Sequence, residues 1–142
     1  MDVDLSYAVV PAVAWLAAGS AKFLLNSAKS RRLAFDLIGY GGMPSTHTAI
    51  VAATAALIGL KEGVGTPAFG VAWTLAFIVM LDANSLRGQI GKQAQAINRL
   101  IADSSKQSLR ERVGHTRAEI AAGVAVGVGT AWLVNDVSNW LQ

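Results

Sequence analysis

Long apolar stretches alternate with short polar ones along this chain, and the apolar stretches have the length of membrane-crossing helices. The first, residues 5–25, is interrupted by Pro11, Gly19, Ser20 and Lys22. About 20 mostly apolar residues suffice to cross the hydrocarbon core of a bilayer. The other apolar runs occupy about residues 45–60, 68–81 and 116–141. The pattern predicts an all-α integral membrane bundle of about four spans.

A cleaved signal peptide is the alternative interpretation of the first run. It is disfavoured because Asp2 and Asp4 precede the run, where a signal peptide carries basic residues. We therefore expect the first run to be a membrane span.

The stretch 82–114 is polar, yet it contains apolar residues near helical spacing. They are Leu86, Ile90, Ala94, Ile97, Leu100 and Ile101. This spacing predicts an amphipathic helix that lies along the membrane face.

Composition supports a lipid environment. Of the 142 residues, 53% are hydrophobic and only 15% are charged, whereas soluble domains carry about 25% charged residues. Four spans with their connections use nearly the whole chain, so residues 1–142 are expected to form a single domain. The chain has no cysteine, which excludes disulfides, thiolate metal sites and cysteine nucleophiles.

The basic residues are distributed unevenly between the polar segments. All of the 12 lysines and arginines except Lys61 lie near the end of the first span or between the third span and the start of the fourth. By the positive-inside rule both basic regions face the cytoplasm and both termini face outward, which places the protein in the inner or plasma membrane. Since these charges flank apolar segments, lipid headgroups and phosphate substrates fit them better than nucleic acid does.

The two histidines stand at the mouths of predicted spans on this same face. His47 begins the second span and His115 precedes the fourth. Glu119 lies four residues after His115, so one helical turn would place its carboxylate next to the imidazole. The arrangement predicts a histidine nucleophile with an orienting carboxylate. A metal site of two histidines and one carboxylate is the competing interpretation, but the surrounding residues are cations, which attract phosphate and repel metal ions.

Several cations lie within reach of these histidines in the predicted topology. Lys22 is either a phosphate ligand or a residue that extends its ammonium group to the membrane surface. Arg110 and Arg112 precede His115 by five and three residues, so at least one can contact a bound phosphate. Arg31 is either a support of the site or an ordinary charge of a cytoplasmic loop.

Two further pairs of residues have two interpretations each. The hydroxyls of Ser45 and Thr46 can cradle an anion at a helix N-terminus or simply cap the helix. Gly123 and Gly127 allow close helix contact, either within one chain or between copies in a homo-oligomer.

Three stretches of this sequence resemble the type 2 phosphatidic acid phosphatase and vanadium haloperoxidase superfamily, in its short and divergent membrane branch. Lys22 precedes them, and in this order they cover most of the chain. They are Gly41-Gly-Met-Pro-Ser-Thr-His47, Asp82-Ala-Asn-Ser-Leu-Arg87 with Gly91-Lys-Gln-Ala94 and Asn98, and Arg110-Glu-Arg-Val-Gly-His-Thr-Arg-Ala-Glu119.

The resemblance implies a phosphatase of membrane-lipid phosphates that needs neither metal nor cofactor. His115 would be the nucleophile, Glu119 its orienting carboxylate, and His47 the acid for the leaving group and later the base for water. The phosphoryl oxygens would be held by Lys22, Ser45 and Arg110. Arg87 would serve as the arginine of the first phosphate-binding motif, or would form a structural ion pair with Asp82.

Two other functions remain open from the sequence. A lipid-headgroup phosphotransferase is suggested by Asp82 and Arg87, although such enzymes need several carboxylates around magnesium. A non-catalytic, lipid-binding scaffold would keep the architecture without turnover.

Overall fold

The chain forms a bundle of α-helices in the residues that the structure describes. The computed structural model describes residues 4–33, 42–101, 108–111 and 113–140. The helices in these ranges are α1 (Ser6–Ser30), α2 (Thr46–Lys61), α3 (Pro67–Asn84), α4 (Leu86–Leu100) and α5 (Arg117–Trp140). The predicted all-α fold class is confirmed.

The outer surfaces of these helices are apolar. Three helical stretches are long and apolar enough to cross a membrane, namely Ser6–Ser30, Pro67–Leu100 and Arg117–Trp140, and only 17–22% of the most apolar part of each is buried. The fourth apolar helix, α2, is shorter at 16 residues. On α3 the side chains of Val71 and Trp73 are more than half exposed. A bundle with such a surface needs lipid around it, so the chain is a helical membrane protein.

Helix α2 is the centre of the bundle. It contacts α1, α3 and α5, and its most extensive interface is with α5. The buried core between α1, α2 and α5 consists of Val10, Ala14, Ala53, Leu57 and Ala131. Most of these side chains are small, so the helix backbones approach closely. Dispersion contacts between them stabilise the bundle, because in lipid the hydrophobic effect does not drive helices together.

Two of the three glycines of α5, Gly123 and Gly127, create the closest of these approaches. A Cβ atom at Gly123 would lie 2.6 Å from the carbonyl oxygen of Ser45, and one at Gly127 would meet the carbonyl oxygen of Ala49. The choice that the sequence left open is therefore resolved in favour of packing within the chain. Helix α5 lies directly against the backbone of α2.

Helix α4 continues the path of α3. Ser85 separates them but keeps a helical backbone (φ −91°, ψ −65°), and the N–H of Gln89 donates to its carbonyl. The predicted amphipathic helix is thus present, with Leu86, Ile90 and Ile97 exposed. Its orientation along the membrane face stays a prediction.

A polar cluster joins three helices at the end of the bundle remote from His115. The Lys61 ammonium donates to Asp4 Oδ2 at 2.7 Å and to Ser138 Oγ at 2.8 Å, and it lies 5.8 Å from the centre of the Tyr7 ring. Hydrogen bonds from Lys61 and Ser6 lower the pKa of Asp4 from its ordinary 3.8 to about 2.

Replacing Lys61 with methionine should lower the thermal midpoint of the purified protein by several degrees, because Asp4 and Ser138 lose a shared donor. Since the pKa of Asp4 is depressed in the folded state, its stabilisation is present above its ordinary pKa and is lost as the pH falls towards about 2. Wild type should therefore lose more stability than Lys61→Met on acidification. Thermal unfolding in detergent at a series of pH values measures this, and parallel pH curves for the two proteins would contradict it.

Candidate active site

The start of α5 is fixed by a reciprocal pair of hydrogen bonds. The N–H of Thr116 donates to Glu119 Oε2 at 2.8 Å, and the N–H of Glu119 donates to Thr116 Oγ1 at 3.3 Å. This capping box satisfies two of the unpaired donors at a helix N-terminus. It also fixes the position of the Glu119 carboxylate relative to His115, the residue before Thr116.

His115 is held by its backbone as well as by its side chain. Its N–H donates to the carbonyl of Ala83 at 2.9 Å, and Gly114 before it has a φ of +102°, a conformation that favours glycine. A Cβ atom at Gly114 would lie 3.0 Å from the backbone nitrogen of Gly88. The loop before α5 is therefore pressed against the junction of α3 and α4.

The imidazole of His115 faces the Glu119 carboxylate. Nδ1 lies 3.4 Å from Glu119 Oε2, and the two side chains are 7% and 20% exposed. Burial, followed by the positive charge of Lys22, lowers the pKa of His115 below its usual value, although the bond to Glu119 opposes this shift. The ring is thus neutral at neutral pH. With Nδ1–H directed at the carboxylate, Nε2 carries the lone pair of a nucleophile.

Two cations act on both histidines. The charges of Lys22 and Arg87 interact with His115 and also with His47, the exposed second residue of α2. Lys22 is half-buried on α1 and interacts with Glu119 and with Arg110. The structure therefore brings together residues from four parts of the chain that the sequence predicted to share a site.

Arg87 is bound to Asp82 across the junction of α3 and α4. Its Nε lies 3.2 Å from Asp82 Oδ2, and both side chains are about one third exposed. The ion pair that the sequence offered as one interpretation is present. It uses one edge of the guanidinium, and the other nitrogens carry further donors that suit an anion. Pairing with Asp82 and phosphate binding are compatible.

Ser45 lies in the contact between α2 and α5. It is fully buried, its N–H donates to the carbonyl of Glu119 at 2.9 Å, and its hydroxyl accepts from Thr48 Oγ1 at 2.9 Å. The Ser45 side chain makes no helix-capping hydrogen bond. Thr46, the first residue of α2, is partly exposed. The first N–H groups of α2 have no helical carbonyl to bond, so an anion near Thr46 fits this end.

A cleft of about 760 Å³ opens beside His115. His115, Thr116 and Glu119 line one part of the cleft. The end of α1 and the junction of α3 and α4 line other parts of it. The residues contributed by these two parts are Asn26, Lys29, Ser30, Asn84 and Gly88. The space suits a phosphorylated headgroup.

Lys29 is the site residue that the sequence analysis missed. It was counted only as a loop charge, because the first span was expected to end at residue 25, whereas α1 extends to Ser30. Lys22, Asn26 and Lys29 are spaced four and three residues apart, so they share one face of α1. That spacing is the signal that could have indicated a second lysine in the cleft.

Two other predicted residues are less closely linked to the site. Arg31 ends α1 with a φ of +52°, is exposed, and is absent from the described residues that line the cleft. Arg112 lies outside the described residues.

The fold and site define a class of helical membrane protein in which a histidine–carboxylate pair lines a cleft, and two cations act on this histidine and on a second one. The profile of the divergent PAP2 family matches residues 4–130, so the chain belongs to that family. The resemblance inferred from the sequence is confirmed.

One relative among curated proteins is the Uncharacterized membrane protein YuiD of Bacillus subtilis (strain 168). It is 32% identical over 117 residues, which cover 70% of this chain and 74% of YuiD. No solved structure matches the chain.

Proposed function

We propose that this protein is a phosphatase of membrane-lipid phosphates that acts through a phosphohistidine. The observation that supports this most directly is the His115–Glu119 pair, which is largely buried, lines a cleft and is acted on by the charges of Lys22 and Arg87. Membership of the PAP2-related family agrees with it.

In the first step Nε2 of His115 attacks the phosphorus atom. A P–N bond forms, the bond between phosphorus and the lipid oxygen breaks, and His47, in its protonated form, donates a proton to the departing alkoxide. In the second step His47 accepts a proton from water, whose oxygen displaces His115 and releases inorganic phosphate. Glu119 stabilises the positive charge of the modified imidazole through Nδ1–H.

The cations stabilise the charge that spreads over the phosphoryl oxygens. Lys22 and Arg87 are placed before the reaction begins, and placed charges cost no reorganisation in the transition state. Lys29, from the end of α1, lines the cleft, and Arg110 from the loop adds a positive charge that acts on Lys22. Thr46, at the N-terminus of α2, adds helix N–H groups.

The substrate class follows from the position of the cleft at the ends of membrane helices. Leu24 and Leu25 lie directly before Asn26 and are exposed, so an acyl or prenyl chain can contact α1 while its phosphate occupies the cleft. The positive-inside distribution supports a cytoplasmic position for this face. Phosphatidylglycerophosphate, phosphatidate and polyprenyl phosphates or diphosphates are the candidate substrates.

The test is phosphate release by purified protein from a panel of these lipids in mixed micelles, with and without a chelator. We expect release that does not depend on metal, and a ³²P-labelled protein that is stable in alkali and labile in acid, as phosphohistidine is. No release from any lipid would favour the scaffold function. A reporter fusion that locates the His47 loop outside the cell would contradict the cytoplasmic placement.

The phosphotransferase alternative receives less support. Its carboxylate, Asp82, is bound to Arg87, and in the described ranges no three His, Cys, Asp or Glu side chains are placed to share a metal ion. Loss of activity on adding chelator would favour it again.

Replacing Glu119 with glutamine should slow phosphoenzyme formation about 100-fold, because the imidazole loses its charged orienting partner. Glu119 raises the pKa of His115 against the stronger effects of burial and Lys22. Its neutralisation should therefore move the acid limb of the pH–rate profile to lower pH. Single-turnover labelling across pH measures both effects, and an acid limb that moves to higher pH would contradict the assignment.

A further inference from the structure

The loop that carries Arg110 and His115 runs along one side of the α3–α4 helix in the opposite direction. His115 bonds to the carbonyl of Ala83, and the next attachments follow in order towards the end of α4, at Gly88, Gly91 and Asn98. The helix rises about 22 Å from residue 83 to residue 98. The attached loop residues that the structure describes therefore lie along about this length of the helix.

Gly91 brings the loop close to α4. A Cβ atom there would lie 2.6 Å from the carbonyl oxygen of Glu111 and 3.4 Å from that of Val113. The loop backbone therefore rests directly on the helix backbone at this point, where a side chain of any size would displace it.

Asn98 holds the far end of the loop by its carboxamide. Its Nδ2 donates to the carbonyl of Leu109 at 2.7 Å and to Glu111 Oε1 at 2.8 Å, and its Oδ1 accepts from the N–H of Leu109 at 2.7 Å. Both backbone polar groups of Leu109 are thus bound by one side chain. Among the described residues, this is the contact that orients the chain immediately before Arg110.

We infer that Asn98 is a positioning residue of the phosphate site, acting through Arg110. The hydrogen bonds from Asn98 to Leu109, together called the clamp, set the direction in which the chain presents Arg110. The charge of Arg110 interacts with that of Lys22 on α1. Asn98 itself is on α4, and its side chain forms these three hydrogen bonds with the loop. The inference rests on the proposed function only for the consequence that Arg110 binds the phosphoryl group.

The kinetic test is a double-mutant cycle between Asn98→Ala and Arg110→Ala. We expect each variant to lower kcat/KM on the order of 10–100-fold, with the same division between kcat and KM, because a misplaced guanidinium acts like an absent one. In the Arg110→Ala background, Asn98→Ala should cost little more. Gln95→Ala, an exposed substitution one turn earlier on α4, should retain wild-type activity.

Fully additive losses, or an Asn98→Ala enzyme equal to wild type, would overturn the inference. Thermal unfolding of each variant distinguishes a misplaced loop from a destabilised bundle. If Asn98→Ala unfolds too easily to assay, Asn98→Asp serves instead. It keeps the acceptor for Leu109 N–H but turns both donated bonds into repulsive contacts between oxygens. Its loss should therefore be similar to that of Arg110→Ala and small in the Arg110→Ala background.

A second readout needs no activity. The chain has no cysteine, so Ser108→Cys provides a single site for a nitroxide label beside the clamp. We expect the label to gain mobility in Asn98→Ala and to remain unchanged in Gln95→Ala. Unchanged mobility in both would overturn the clamp, even if the wild-type protein released no phosphate and the proposed function itself had failed.

Discussion

His115→Ala should abolish the phosphoenzyme and lower turnover by at least about 10⁴-fold, as loss of a catalytic nucleophile does in other enzymes. In this protein the imidazole is neutral, buried and aligned by Glu119, and an alanine supplies no atom to attack phosphorus. The measurement is ³²P incorporation from a labelled lipid phosphate, followed by steady-state phosphate release.

His47→Ala is the matched control, because it removes the only other histidine of the chain. It should still form phosphoenzyme from a substrate with a good leaving group such as p-nitrophenolate, since that group needs no proton, but hydrolysis of the phosphoenzyme should be slow. Label retained in His115→Ala and lost in His47→Ala would reverse the two roles.

Gly127→Leu should unfold or severely loosen the bundle. A side chain there meets the carbonyl oxygen of Ala49, and its Cβ would lie 2.9 Å from both the Cβ of Ala52 and the nitrogen of Ala53. Since two of these three atoms are backbone, α5 must move away from α2, at a cost of about 3 kcal/mol or more. Unfolding of the purified protein in mixed micelles with increasing SDS measures the loss.

Gly129→Ala provides the comparison on the same helix. A Cβ atom at Gly129 meets nothing within 4 Å, and alanine favours helix over glycine by about 1 kcal/mol, so this variant should be as stable as wild type or slightly more stable. Equal stability of Gly127→Leu and wild type would mean that α2 and α5 are not in close contact.

The membrane bundle could be predicted because apolar runs report directly on lipid exposure. The ends of the helices could not. Lys29 lies within α1 because a lysine at a helix end can extend its charge to the membrane surface, and Asp82 lies within α3 because Arg87 neutralises it from the next turn. Hydropathy ends a predicted span before each of these charges, whereas the helices of this chain continue past them.

The candidate site likewise has a part that could be predicted from the sequence and a part that could not. His115 and Glu119 could be paired from the sequence because they are separated by one helical turn, and the distance between them agrees with that spacing. The burial of Ser45 and the clamp of Asn98 on Leu109 depend on contacts between segments far apart in sequence. Periodicity contains no information on such contacts, so they required the fold.

The hydrogen bond from Ser45 N–H to the carbonyl of Glu119 also determines when the site can form during synthesis. A ribosome delivers Lys22 and His47 to the membrane long before His115, and until α5 inserts, the N-terminus of α2 has no partner from that helix. Partial chains therefore contain the cations but no nucleophile. On the proposed mechanism, phosphorylated lipids of the same bilayer can be attacked only after the last helix has entered it.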